Sequence, residues 1–172
     1  MQDLIELYTG SPAVTELEQV MNRYKQTVYG LAVSHLNNRA EADDIFQEVF
    51  LTYHTKAPGF ESEAALRTWL IRTTLNLCKR SNHSPWNSRV DKDPDAGVDI
   101  AVQFRTQTEN EVYAAVLSLD PKYRIPVYLF YFEGLNCSEI AKAVDATSAA
   151  VMMRLSRARK LLRERLEGDH FE

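Results

Sequence analysis

The stretch from Leu135 to Leu166, LNCSEIAKAVDATSAAVMMRLSRARKLLRERL, constrains this chain more than any other. Ile140, Ala141 and Val144 recur at helical spacing and mark a short helix, with Ser138 expected as its cap. Asp145 to Thr147 break the period. Thr147 or Ser148 then opens a longer helix whose apolar stripe is Val151, Leu155, Ala158, Leu162 and Leu166. Ala141 supplies the small side chain that two steeply crossing helices need. The remaining face of the long helix carries Arg154, Arg157, Arg159, Lys160, Arg163 and Arg165. A short helix, a tight turn and a basic helix form the pattern of a helix-turn-helix. Its second helix enters the DNA major groove N-terminal end first, while arginines neutralise phosphates. A basic amphipathic helix read alone is equally a solvated face. The preceding helix and turn tip the reading toward DNA.

The rest of the chain is also helical in pattern. Leu17, Val20, Met21, Tyr24, Val28, Leu31 and Leu36 keep helical spacing after Ser11-Pro12, and Asn37-Asn38 interrupt it. A second helix runs from about Arg39 to Thr55 with Ala42, Ile45, Phe46, Val49 and Tyr53 on one face, and Pro58-Gly59 stops it. Ser62 caps a third helix to about Arg80, with Leu66, Leu70, Thr73 and Leu77 inward. From Ser81 the chain turns polar and aperiodic, and the short apolar run at residues 100–104 fits no element. Helices resume near Thr108. Asp120-Pro121 opens one of them, Pro126 bends it and Gly134 ends it. The expectation is an all-α protein of two small helical domains. Residues 1–81 form the first, 82–108 a flexible linker, and 109–172 a four-helix second domain containing the helix-turn-helix.

Net charge is −4 over 172 residues, which does not favour a free-standing nucleic-acid binder. The distribution matters more than the sum. Acids concentrate before residue 64 and again between Asp91 and Glu111, whereas the C-terminal helix is basic. A protein that meets DNA only together with another macromolecule tolerates such a balance. Cys78 and Cys137 lie far apart without metal-ligand spacing, so two free thiols in a reducing cytoplasm are expected. No signal segment or membrane-length apolar run is present, so no membrane insertion is expected.

Two helical faces carry candidate chemistry. On the second helix, Asp43, Asp44, Gln47 and Glu48 stand one turn apart opposite the apolar stripe. No histidine at helical spacing completes a metal-ligand set, so the face reads as protein-docking or solvated, and no metal, cofactor or catalytic group is expected. On the third helix, Trp69, Arg72, Asn76, Lys79 and Arg80 recur every three or four residues, with Arg67 beside them. Rings that stack bases and cations that hold phosphates are what single-stranded nucleic acid requires. Phe60, Glu61 and Ser62, in the loop just before, could receive an unstacked base. Trp69 could equally be a core residue.

Four segments in order, AEADDIFQEVF (40–50), LRTWLIRTTLN (66–76), LDPKYRIPVYLFYFEGLNCSEIA (119–141) and RLSRARKLLRERL (154–166), resemble the extracytoplasmic-function group of bacterial sigma factors, the smallest members of the sigma-70 family. The resemblance implies a transcription initiation factor, not itself an enzyme. It would bind core RNA polymerase and direct it to promoters, commonly under the control of an anti-sigma factor. Asp43, Asp44, Gln47 and Glu48 would dock on the polymerase. Phe60, Glu61, Ser62, Arg67, Trp69, Arg72, Asn76, Lys79 and Arg80 would open the −10 element and hold its non-template strand. Ser148, Ala149, Ala150, Met152, Met153, Arg154, Arg157, Arg159 and Lys160 would meet the −35 duplex, with Arg154 the first candidate for a base contact. Asp145 replaces the usual turn glycine. Met152 and Met153 replace polar readers, so thymine methyls, phosphates or DNA shape would carry recognition there. The rival readings are a helix-turn-helix repressor or activator with an N-terminal sensing bundle, and a helical adaptor that binds only protein.

Overall fold

A computed structural model describes residues 12–82 and 107–168. Regular structure among them is entirely helical: α1 (Pro12–Leu36), α2 (Arg39–Lys56), α3 (Glu63–Asn82), α4 (Gln107–Leu117), α5 (Pro121–Val127), α6 (Cys137–Val144) and α7 (Ser148–Gly168). The short apolar run at 100–104 and most of the expected linker lie outside the described residues.

Local signals set the boundaries. α1 ends where Asn37 takes a left-handed backbone (φ 52°) and its N–H reaches the Val33 carbonyl at 2.8 Å. Asparagine adopts that conformation more readily than most residues. Asn38 then caps α2 by accepting the Glu41 N–H at 3.1 Å. Ser62 Oγ accepts the Ala65 N–H at 3.1 Å and starts α3. Asp120 caps α5, with Pro121 in its first turn. Pro126 has no N–H to give to the helix ladder. Two residues later the chain widens into a π turn, Tyr128–Phe132, rather than continuing as α-helix to Glu133.

α1, α2 and α3 pack around Tyr24, Val28, Ala42, Ile45, Val49 and Leu70. α4 to α7 pack around Val116, Leu119, Ile125, Leu129, Ile140 and Leu155. The second cluster reaches into the first bundle, because Leu31, Ile71 and Leu75 are buried in it. This changes the inward face of α3. Besides Leu70 and Leu77, it buries Ile71, Thr74, Leu75 and Cys78, while Leu66 and Thr73 are only half-buried. α3 is covered on two sides, and a single stripe cannot describe it.

Polar contacts join the halves. Ser34 and Tyr113 share a buried hydrogen bond of 3.1 Å. Arg124 donates from Nη1 to the Ser34 carbonyl at 2.5 Å, and from Nε and Nη2 to the Leu119 carbonyl.

Candidate nucleic-acid and protein interfaces

The helix-turn-helix is built by its caps. Asn136, not Ser138, caps α6. Its side chain accepts the Glu139 N–H at 2.9 Å, and the Glu139 carboxylate accepts the Asn136 N–H at 2.8 Å. This reciprocal pair satisfies two donors that the first turn leaves open, which a serine two residues into that turn cannot do. Asp145 closes α6 in the left-handed region (φ 60°, ψ 49°), and the Ala146 N–H bonds back to the Ala141 carbonyl at 3.0 Å. Thr147 Oγ1 accepts the Ala150 N–H at 3.1 Å and opens α7.

α7 buries Val151, Leu155 and Ala158 against the rest of the domain. Its outward sector holds Ala149, Met152, Met153, Arg157 and Lys160, all exposed; Met153 keeps 74% of its surface open. Ser148, Ala150 and Arg154 are half-buried at the edges. Arg157 therefore stands further into solvent than Arg154. Arg159 lies at the opposite edge, where its Nε donates to the Tyr131 hydroxyl at 2.7 Å and its guanidinium lies 5.7 Å from the Phe130 ring centre. The sequence reading missed Tyr131 because it sits in another element, inside the π turn. Its signal was an exposed tyrosine in an otherwise apolar run.

On α2, Asp43, Asp44, Gln47 and Glu48 are all exposed. With about 3.6 residues per turn, Leu51 returns to the sector between Asp44 and Gln47, and it is 62% exposed. The face is thus an apolar centre in a polar, mostly acidic rim. The sequence reading missed Leu51, whose one signal was an apolar residue out of phase with Ala42, Ile45 and Val49. Burial first and the neighbouring Asp43 carboxylate second hold the Tyr29 hydroxyl above the usual tyrosine range.

The third surface follows α3. Arg72, Asn76, Lys79 and Arg80 are exposed along it, as are Glu61 and Ser62 before it. Trp69 and Phe60 are half-buried and pack edge to face at 5.7 Å, while Tyr53 lies stacked over Phe60 at 6.4 Å. Tyr53, which the sequence placed only in a core stripe, completes this aromatic cluster. Arg67 is held apart from the strip, because its Nη2 donates to both the carbonyl and the carboxylate of Glu133, the latter at 3.1 Å.

Neither cysteine is bonded. Cys78 is buried, and burial, then the nearby Glu41 charge, pushes its thiol up to about 12, which makes it inert. Among the described residues no group of three His, Cys, Asp or Glu side chains could hold a metal ion, and no helix is long and apolar enough to cross a membrane.

Known proteins share both halves in the same order. The family model for sigma-70 region 2 matches residues 20–83, and that for sigma-70 region 4 matches residues 109–162. RNA polymerase sigma-H factor of Pseudomonas aeruginosa is 26% identical, with 84% of this chain and 83% of that protein covered. The ECF RNA polymerase sigma factor SigW of Bacillus subtilis is also 26% identical, covering 86% of this chain and 87% of the relative. Two solved structures share the fold. CnrH in complex with the cytosolic domain of CnrY has a TM-score of 0.65 at 22% identity, over 94% of this chain and 92% of CnrH. RpoE of Bartonella quintana in complex with the anti-sigma factor NepR has a TM-score of 0.66 at 19% identity, over 90% and 98%. The region 2 helices, the helix-turn-helix of region 4 and the sequence relatives agree: the chain belongs to the extracytoplasmic-function group of the sigma-70 family, the factors that bind core RNA polymerase and direct it to promoters.

Proposed function

We propose that the three exposed faces divide promoter recognition among them. The face of Asp43, Asp44, Gln47 and Glu48, centred on Leu51, docks on a basic helical surface of core polymerase. The strip of Arg72, Asn76, Lys79 and Arg80, with the Phe60–Trp69 cluster and Arg67, takes the non-template strand of the −10 element as it unstacks. The outward sector of α7 enters the major groove of the −35 element, where Arg157 and Lys160 meet phosphates and Met152 and Met153 meet thymine methyls. The chain supplies no catalysis of its own; it works in the cytoplasm with the polymerase that does. An anti-sigma factor holds it inactive, a reading supported by the likeness to RpoE in complex with the anti-sigma factor NepR.

One observation carries this reading: a single chain exposes an acidic face on α2 and a basic face on α7. The first repels DNA and suits a protein partner, and the second suits DNA. The test is the double variant Asp44→Lys, Gln47→Lys. Both side chains are exposed, so the melting temperature should stay near wild type, while co-purification with core polymerase should be lost. Retention of normal polymerase binding would remove the docking assignment.

A further inference from the structure

The π turn buries Tyr128 and Leu129 but leaves Tyr131 54% exposed. The exposed ring is nevertheless engaged, because Arg159 of α7 lies on it. Arg159 Nε donates to the Tyr131 hydroxyl at 2.7 Å. Its guanidinium stands 5.7 Å from the Phe130 ring centre and 5.8 Å from that of Tyr131. The two rings meet edge to face at 5.0 Å, with 71° between their planes. One hydrogen bond and two ring contacts thus hold a guanidinium that is itself exposed.

Stability gains little from this arrangement, since ordering a long exposed side chain costs conformational entropy. Binding gains more. With Nε committed to Tyr131, both Nη groups remain, and their planar fork matches the oxygens of a phosphate. The location fits that ligand. Arg159 is seven residues beyond Met152, which returns it to nearly the same line of α7 about 10 Å further along. That line is an edge of the outward sector, and a helix lying in the major groove turns its edges toward the phosphate walls.

We infer that Tyr131 is a positioning residue for −35 binding: with Phe130 it pre-sets the Arg159 guanidinium so that its Nη groups meet a backbone phosphate. The inference rests on the proposed −35 role of α7 and extends that site to the π turn, an element before the helix-turn-helix. A side chain already held in place loses less freedom on binding. The contribution of Tyr131 is therefore to affinity for every upstream sequence alike, and it passes through Arg159.

The test uses holoenzyme on a cognate promoter, with Arg159→Ala, Tyr131→Phe, both changes together, and Arg157→Ala with Lys160→Ala in parallel. Tyr131→Phe keeps the ring and removes only the hydroxyl. It should weaken promoter binding about threefold to tenfold, with the melting temperature near wild type and co-purification with core polymerase unchanged. Arg159→Ala should weaken binding and lower the salt slope by about one unit, and adding Tyr131→Phe to it should change nothing further. Single methylphosphonate linkages, placed one at a time along the upstream element, locate the contact. At one linkage the effects of both single variants should vanish, because the charge that Arg159 meets is gone. A Tyr131→Phe defect that persists at every linkage, that adds to the Arg159→Ala defect, or that appears in polymerase co-purification overturns the inference. So does wild-type binding by Tyr131→Phe while the Arg157, Lys160 variant is impaired; the −35 reading then stands alone. Wild-type binding and salt slope in the Arg157, Lys160 variant as well would remove the −35 reading and the inference with it.

Discussion

α3 and α7 are nearly equal in length, at 20 and 21 residues, and both are assigned to nucleic acid, but they are buried in opposite ways. α3 is wedged between two clusters and buries Leu70, Ile71, Thr74, Leu75, Leu77 and Cys78. Only a narrow strip is left for a ligand. α7 buries Val151, Leu155 and Ala158 and presents a broad exposed sector. A wide face suits a groove, which surrounds a helix on several sides. A narrow strip beside an aromatic cluster suits one strand, whose bases arrive singly. The difference also assigns a second task to α3, as the helix through which the two halves are joined.

The sharpest way to break this comparison is truncation on each helix. Leu75 is 2% exposed and belongs to the cluster shared by both halves. Leu75→Ala should cost about 2–5 kcal/mol through lost burial and a cavity. Met153→Ala on the outward sector of α7 should change stability by less than about 0.5 kcal/mol while weakening promoter binding. Equal losses in thermal denaturation would contradict the burial contrast.

A pH titration sharpens it from the α1 side. Burial first, then the charges of Arg124 and Lys79, lower the His35 imidazole to about 4 from 6.5. The unfolded chain therefore binds this proton before the folded one does. The stability His35 preserves is fully present above about pH 6.5 and is lost as pH falls toward 4, by about 3 kcal/mol in all. Denaturant unfolding should show that slope in wild type and a shallower one in His35→Gln. Identical slopes would mean that His35 is solvated in the folded protein.

The same contrast explains what the sequence disclosed. α7 touches one layer, so its period read cleanly, and Val151, Leu155 and Ala158 lie where the spacing placed them. The turn before it was legible too, because Asp145 adopts the left-handed backbone that its position demanded. For α3, contacts with the second half add buried residues at Ile71 and Leu75, out of phase with the Leu70–Leu77 stripe. Helical spacing cannot reveal a second layer supplied from some sixty residues away. Side chains that meet across elements stayed hidden for the same reason: Arg67 with Glu133, Arg159 with Tyr131, and Tyr53 with Phe60. The acidic face on α2 was read from its spacing. Leu51 at its centre was not, because an apolar residue off the stripe is common and acquires meaning only beside its exposed neighbours.

The central claim, that α3 handles the opened strand and α7 the duplex, is tested most directly by open-complex formation on two templates. Holoenzyme carrying Arg72→Ala with Asn76→Ala, and holoenzyme carrying Arg157→Ala with Lys160→Ala, would each be measured on a fully duplex promoter and on one pre-melted at the −10 element. The account predicts that pre-melting restores most of the α3 variant's loss and little of the α7 variant's. The α7 variant should also lower the salt slope by about two units, about one for each phosphate contact removed. Equal defects of the α3 variant on both templates, or rescue of the α7 variant by the bubble, would contradict it.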